Sequence, residues 1–99
     1  MPKKKVFAIH PGEILREEFM KPLGLTAYKR AKDLHISIPR VNDIVREQRS
    51  ITADTALRLG RYFGTDAQTW MNLQADYGLR IARSKADIGT VRPRKATAA

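Results

Sequence analysis

The chain has no cysteine, which removes disulfides, thiolate nucleophiles and thiolate zinc sites together and leaves nothing that demands an oxidising compartment. Long apolar runs are also missing. The short stretch Val6 to Ile9 follows three lysines and is broken by His10-Pro11-Gly12, too short for an export signal and far too short to span a bilayer. A cytoplasmic protein without membrane attachment is the expectation. Strand patterning is absent as well: alternation of apolar and polar residues never persists beyond a few positions, and β-branched residues are scattered. The two histidines, His10 and His35, lie far apart and neither has a ligand partner at helical spacing, so no metal or other cofactor is expected. No Ser/His/Asp set, glycine loop or carboxylate pair stands out. The chain reads as a non-enzyme, with His10 a solvated helix cap.

What is present is the composition of one small globular domain: 99 residues, 42% hydrophobic and 29% charged, too few to divide between two cores. Lys and Arg outnumber Asp and Glu by 19 to 10, an excess that asks for a polyanionic partner. The excess sits at the ends. Residues 1 to 5 carry three lysines and residues 80 to 99 carry six basic side chains against Asp87, whereas Val6 to Leu79 has ten basic and nine acidic residues. Charged ends are often solvated tails, so nucleic-acid binding has to be argued from where individual charges stand.

The apolar spacing predicts an all-α chain of five helices. Pro11 suits the first position of helix one, Ile14, Leu15 and Phe19 face inward, and Pro22 with Gly24 ends it. Thr26 caps a second helix with Ala27, Ala31 and Leu34 inward; after the short break at His35-Ile36, Ser37 caps a third with Val41, Ile44 and Val45 inward. Two short helices so joined form a helix-turn-helix. Thr52 caps a fourth, with Ala56, Leu59 and Phe63 inside, Gly64 at its C-terminal end and Gly60 within it, a residue that costs about 1 kcal/mol against alanine unless close packing needs it. Thr65 or Asp66 caps a fifth, whose stripe is Trp70, Leu73, Gln74, Tyr77 and Ile81. The division expected is a basic tail over residues 1–8, the folded domain over 9–83 and a flexible basic tail over 84–99.

A helix that reads the DNA major groove needs one face anchored to its domain and the other bearing donors and acceptors. At 100° per residue, Val41, Ile44, Val45 and Gln48 share one sector of the third helix; Pro39, Asn42, Asp43 and Arg46 lie opposite, flanked by Arg40 and Glu47. Asn pairs with adenine and Arg with guanine through two hydrogen bonds each, so Asn42 and Arg46 lead the candidates for base contact. Asp43 is repelled by the duplex unless it accepts from cytosine or is neutralised by Arg40 or Arg46, and the neutralised state is the one expected. Thr26, Lys29, Lys32, Ser37, Arg40 and Arg49 are candidates for phosphate contact, which sets register without reading sequence. Solvated helices carry the same residue types on their outer faces.

Two blocks add to it. His10-Pro11-Gly12-Glu13-Ile14-Leu15-Arg16-Glu17-Glu18-Phe19, continued by Pro22-Leu23-Gly24-Leu25-Thr26, resembles the N-terminal signature of the HigA-type antitoxins, also termed VapI-like or XRE-type helix-turn-helix proteins. Ile51-Thr52-Ala53-Asp54-Thr55-Ala56-Leu57-Arg58-Leu59, with Tyr62-Phe63-Gly64-Thr65 and Trp70-Met71-Asn72-Leu73-Gln74, is similar to the same family. The resemblance spans residues 9 to 82. It implies a lambda-repressor-like fold and a homodimer that represses its own operon at a palindromic operator in double-stranded DNA. It also implies a second partner, a small ribonuclease toxin of the RelE-like class that degrades messenger RNA and is neutralised by binding. The family's recognition positions correspond to Ser37 through Arg46. Three departures stand out: His35 occupies a turn position commonly held by Gly, Arg30 replaces an apolar residue and must snorkel or rotate the second helix, and Ala27 removes one possible phosphate contact.

Trp70, Leu73, Gln74 and Tyr77 are expected at the dimer interface, although the same stripe describes an ordinary core. Glu13, Glu17 and Glu18 form an acidic face suited to a basic toxin, though they equally complement the helix dipole. The rival readings are a stand-alone phage- or plasmid-type repressor without a toxin, and an RNA-binding module using the basic ends. The latter is disfavoured because the aromatics occupy buried positions and no stacking platform is evident.

Overall fold

Short-range signals set the start of each helix. The computed structural model describes residues 8–95, and among these there are five principal helices and no strand. His10 opens the first: its Nδ1 accepts from the Gly12 N–H at 2.8 Å, and Pro11 occupies the first helical position. Helix α1 (Pro11–Ile14) runs directly into a π-helical stretch, Leu15–Met20, then a 3-10 turn, Lys21–Leu23, and Gly24 ends it in the left-handed region at φ 64°. The 3.6-residue period did not predict this widened turn. Pro22 has no N–H to continue the ladder, and the Lys21 N–H bonds back to the Arg16 carbonyl instead.

Thr26 accepts from the Lys29 N–H at 3.2 Å to start α2 (Ala27–Leu34), and Ser37 accepts from the Arg40 N–H at 3.2 Å to start α3 (Ile38–Val45). Thr52 caps α4 (Ala53–Phe63), which Gly64 closes at φ 72°, and Asp66 accepts from the Gln68 N–H at 3.0 Å to open α5 (Ala67–Lys85). A short 3-10 turn, Ile88–Thr90, follows. The expected N-terminal tail lies outside the described residues except for Ala8, as do the last four residues of the expected C-terminal one; residues 86–95 are exposed.

The inward faces meet in one core: Leu15, Met20, Ala31, Leu34, Val41, Ile44, Val45, Ile51, Ala56, Leu59 and Trp70 are buried, with Ile14, Phe19, Ala27, Phe63 and Leu73 packed against them. Each fully buried large aliphatic contributes about 1.5–3 kcal/mol by leaving water. Two glycines permit close approaches. A Cβ on Gly12 would stand 1.7 Å from the Ile44 carbonyl oxygen, so the start of the first helix lies directly on the backbone of α3. On Gly60 it would come within 2.9 Å of the Thr65 carbonyl oxygen, the close packing that offsets glycine's cost inside α4.

Three expectations are corrected. His10 is a cap but not a solvated one: it is 2% exposed, with its ring edge-on to Tyr77 at 4.8 Å between centroids. Arg30 does not snorkel. It is equally buried, lies over the Tyr62 ring, donates to the Tyr62 hydroxyl and pairs with Asp33 at 3.2 Å; its Nε has no hydrogen-bond partner among the described residues. Trp70 lies wholly inside the chain's own core, its Nε1 donating to Thr65 Oγ1 at 2.8 Å, so no surface of it remains for a dimer contact.

Candidate nucleic-acid interface

The unit α2–turn–α3 is held at its turn and from behind. At the turn, His35 adopts φ 58° and ψ 43°, the left-handed conformation that the family's glycine would take without strain. Arg58, reaching from α4, donates to the Leu34 carbonyl at 3.0 Å and the His35 carbonyl at 3.4 Å, satisfying acceptors that the end of α2 leaves open. Behind α3, Val41, Ile44 and Val45 are buried as predicted. At its far end Arg16 donates to the Val45 carbonyl and pairs with Glu47 at 3.3 Å, while Glu47 itself sits at φ 63°. These tethers give α3 a definite orientation and leave its outer side uncovered.

On that side Ser37, Pro39 and Arg46 are exposed, and Asn42, Asp43 and Arg40 are partly so. Arg46 is not the last turn of the helix but its C-terminal cap, at φ −91° and ψ 6°, and among the described residues it has no ion-pair partner. Gln48 departs from the wheel. It is exposed, beyond the helix end, with its amide donating to the Arg46 carbonyl at 3.3 Å, because the 100° rule ceases to apply once the chain turns at Glu47. Asp43 is neutralised as expected but by a different residue: Arg49 reaches it at 3.4 Å. Arg40 instead meets Asp54 of α4 at 3.5 Å, and Arg58 meets the same carboxylate oxygen at 2.9 Å. Thr26, Lys29 and Lys32 are exposed on α2. Between Thr26 and Arg49 there are six basic and three acidic side chains, a local excess that the near-neutral count over Val6 to Leu79 conceals.

This is a geometry for presenting one helix to a groove: a backed rod, two capped helix N-termini beside it, and cations along the rim. No family model matches the chain. It is 60% identical to virulence-associated protein I of Dichelobacter nodosus, over 92% of this chain and 85% of that protein. Among solved structures, the Pseudomonas aeruginosa antitoxin HigA with the higBA promoter is 52% identical, with a TM-score of 0.76 over 86% of this chain and 96% of that one. The antitoxin GraA in complex with its operator is 41% identical, with a TM-score of 0.85 over 97% of this chain and all of that one. The chain belongs to the HigA/VapI family of helix-turn-helix antitoxins. The all-α fold expected from the sequence is the fold of these relatives.

The other expected surfaces of this HigA/VapI-family chain are carried by α5 and by the segment from Pro11 to Met20. Leu73 and Tyr77 are half-buried on α5, and Gln74 is turned inward, its Oε1 accepting from the Ile51 N–H at 2.7 Å. Of the acidic residues, Glu17 is already engaged: Arg16 donates to it at 2.9 Å and Lys21 at 3.0 Å, and these bonds, Arg16 first, pull its carboxyl below the usual range. The bond to Glu17, with Glu47 beside it, likewise raises Arg16 above the ordinary guanidinium value. Glu18 is exposed and Glu13 partly buried, and among the described residues neither forms an ion pair. No helix among the described residues is long and apolar enough to cross a membrane.

Sequence reading missed Arg16, Arg58 and Asp54. The pair Asp54 and Arg58 is a helical i,i+4 pair and carried a local signal; Arg16 to Val45 spans 29 residues and carried none.

Proposed function

We propose that the chain is a sequence-specific DNA-binding repressor of its own operon that also neutralises a RelE-like, messenger-RNA-degrading toxin by direct binding. The observation that carries the reading is the outer face of α3, backed by a buried apolar side and left uncovered in the chain, in a protein 52% identical to an antitoxin whose structure holds promoter DNA. Asn42 and Arg46 are the base readers, with Pro39 and the Arg49-neutralised Asp43 beside them. Thr26, Lys29, Lys32, Ser37, Arg40 and Arg49 meet phosphate. A homodimer sets two copies of α3 about 34 Å apart, one turn of duplex, and so reads a palindrome. Leu73 and Tyr77 are its candidate contacts on α5, while Trp70 and Gln74 serve the chain itself. The toxin-facing candidates are Glu13 and Glu18, with Glu17 available only by exchange of its present partners.

Two experiments test this. Selection of full-length chain on a random duplex pool should enrich a palindrome with half-sites about one turn apart; enrichment of sequences with no common palindrome contradicts it. Co-expression with the small reading frame adjoining its gene should rescue growth from that gene's product. Failure of rescue with a palindrome still selected would favour the stand-alone repressor.

A further inference from the structure

Asp54 stands out because its single carboxylate serves two guanidinium groups of different purpose. Arg58 is bound structurally, by Asp54 at 2.9 Å and by the turn carbonyls of Leu34 and His35. Arg40 belongs to α3, is about one-third exposed, and meets the same Oδ2 at the longer distance of 3.5 Å. Asp54 is itself 58% exposed and lies in the first turn of α4, beside the rim where phosphates would run. A carboxylate at the edge of an anion-binding face weakens that face unless it has another purpose.

We propose that Asp54 competes with DNA phosphate for Arg40 and thereby tempers the affinity of the seated complex. On loosely bound, non-cognate duplex the carboxylate retains Arg40, so one cation is withheld from the sequence-independent attraction. When α3 seats fully, a phosphate displaces Asp54 and takes Arg40. The exchange leaves no orphaned charge, since Asp54 keeps Arg58 and Arg58 keeps the turn. Breaking the pair costs the seated complex the full strength of that contact, whereas a duplex that leaves the pair intact forgoes only a weaker phosphate contact, so Asp54 tempers cognate binding more than background binding. This rests on the proposed reading of α3 as the DNA-binding helix.

The test is a double-mutant cycle on full-length protein, with a random-sequence duplex of about two turns and a duplex selected by the wild type. Asp54→Asn should tighten binding to the selected duplex about threefold to fivefold, the range an exposed ion pair can withhold, and tighten random-duplex binding less. In the Arg40→Gln background the same change should have little effect. Asp54→Ser, which suits a helix start without charge, should repeat the result, and unchanged melting of both variants separates it from loss of fold. Equal tightening with and without Arg40 would overturn the proposal, because it would mean only that a negative charge had left the field. No tightening in either variant would overturn it too. If the wild type binds no duplex, the underlying reading of α3 fails first, and that result is distinguishable from either of these.

Discussion

Gly12 and His10 show how much of this fold depends on a single side chain, or the lack of one, and Arg30 shows where that dependence ends. Replacing Gly12 with Ala puts a methyl group 1.7 Å from a backbone oxygen of α3, where no flexible side chain can yield, so the expected loss is at least about 2 kcal/mol in a denaturant titration. A loss of only a few tenths would mean that the first helix does not rest on α3. His10 is held below its ordinary pKa by burial, against the opposing pull of Glu47 and the Arg49 backbone. The unfolded chain therefore takes the proton first. Its contribution is complete above about pH 6.5 and is lost as pH falls toward the folded value. Urea midpoints should decline over that acid range, and His10→Asn, which retains a capping oxygen, should flatten the decline; parallel profiles would exclude His10 as the cause. Arg30 makes the opposite case. Its partners, Asp33 and Tyr62, reach solvent, so Arg30→Met strands no buried charge and should leave stability unchanged or raise it by about 1 kcal/mol. A melt lowered by several degrees would show that the buried cation is needed.

At the scale of elements, what was readable in the sequence is what is local. Thr26, Ser37, Thr52 and Asp66 cap the helices that they precede, and the inward residues of α2, α3 and α4 follow their apolar spacing, because a cap spans two or three residues and a helical face at most a few turns. Even the departure at His35 was visible, since a turn position that normally takes glycine calls for positive φ whatever residue fills it. The rest depended on contacts without a sequence period. The π-helical widening before Pro22, the end of α3 one residue before Arg46, and the transfer of Asp43 from Arg46 or Arg40 to Arg49 are decided by what meets each segment in space. Arg16 is the clearest instance, because it closes the C-terminal end of α3 from a different helix. Arg16→Met should cost about 1–2 kcal/mol by opening the Val45 carbonyl and leaving Glu47 unpaired. Hydrogen exchange should then quicken at the last turn of α3 more than in α5; uniform acceleration would deny Arg16 that local role.

For the whole molecule, the distribution of charge carries more meaning than its sum. The excess of +9 is gathered toward the two ends, while the part that folds around α3 spends most of its cations on internal work: Arg16 and Arg58 on carbonyls, Arg30 inside, Arg40 and Arg49 on carboxylates. Arg46 forms no ion pair among the described residues and stands where α3 ends and its outer face is open. That makes the comparison of wild type and Arg46→Ala on selected and random duplexes, at matched salt, the most direct test of the account. The selected duplex should lose about tenfold or more in affinity, and random duplex far less, as expected when a base contact is removed. Equal losses on both duplexes would show that α3 does not read sequence through Arg46.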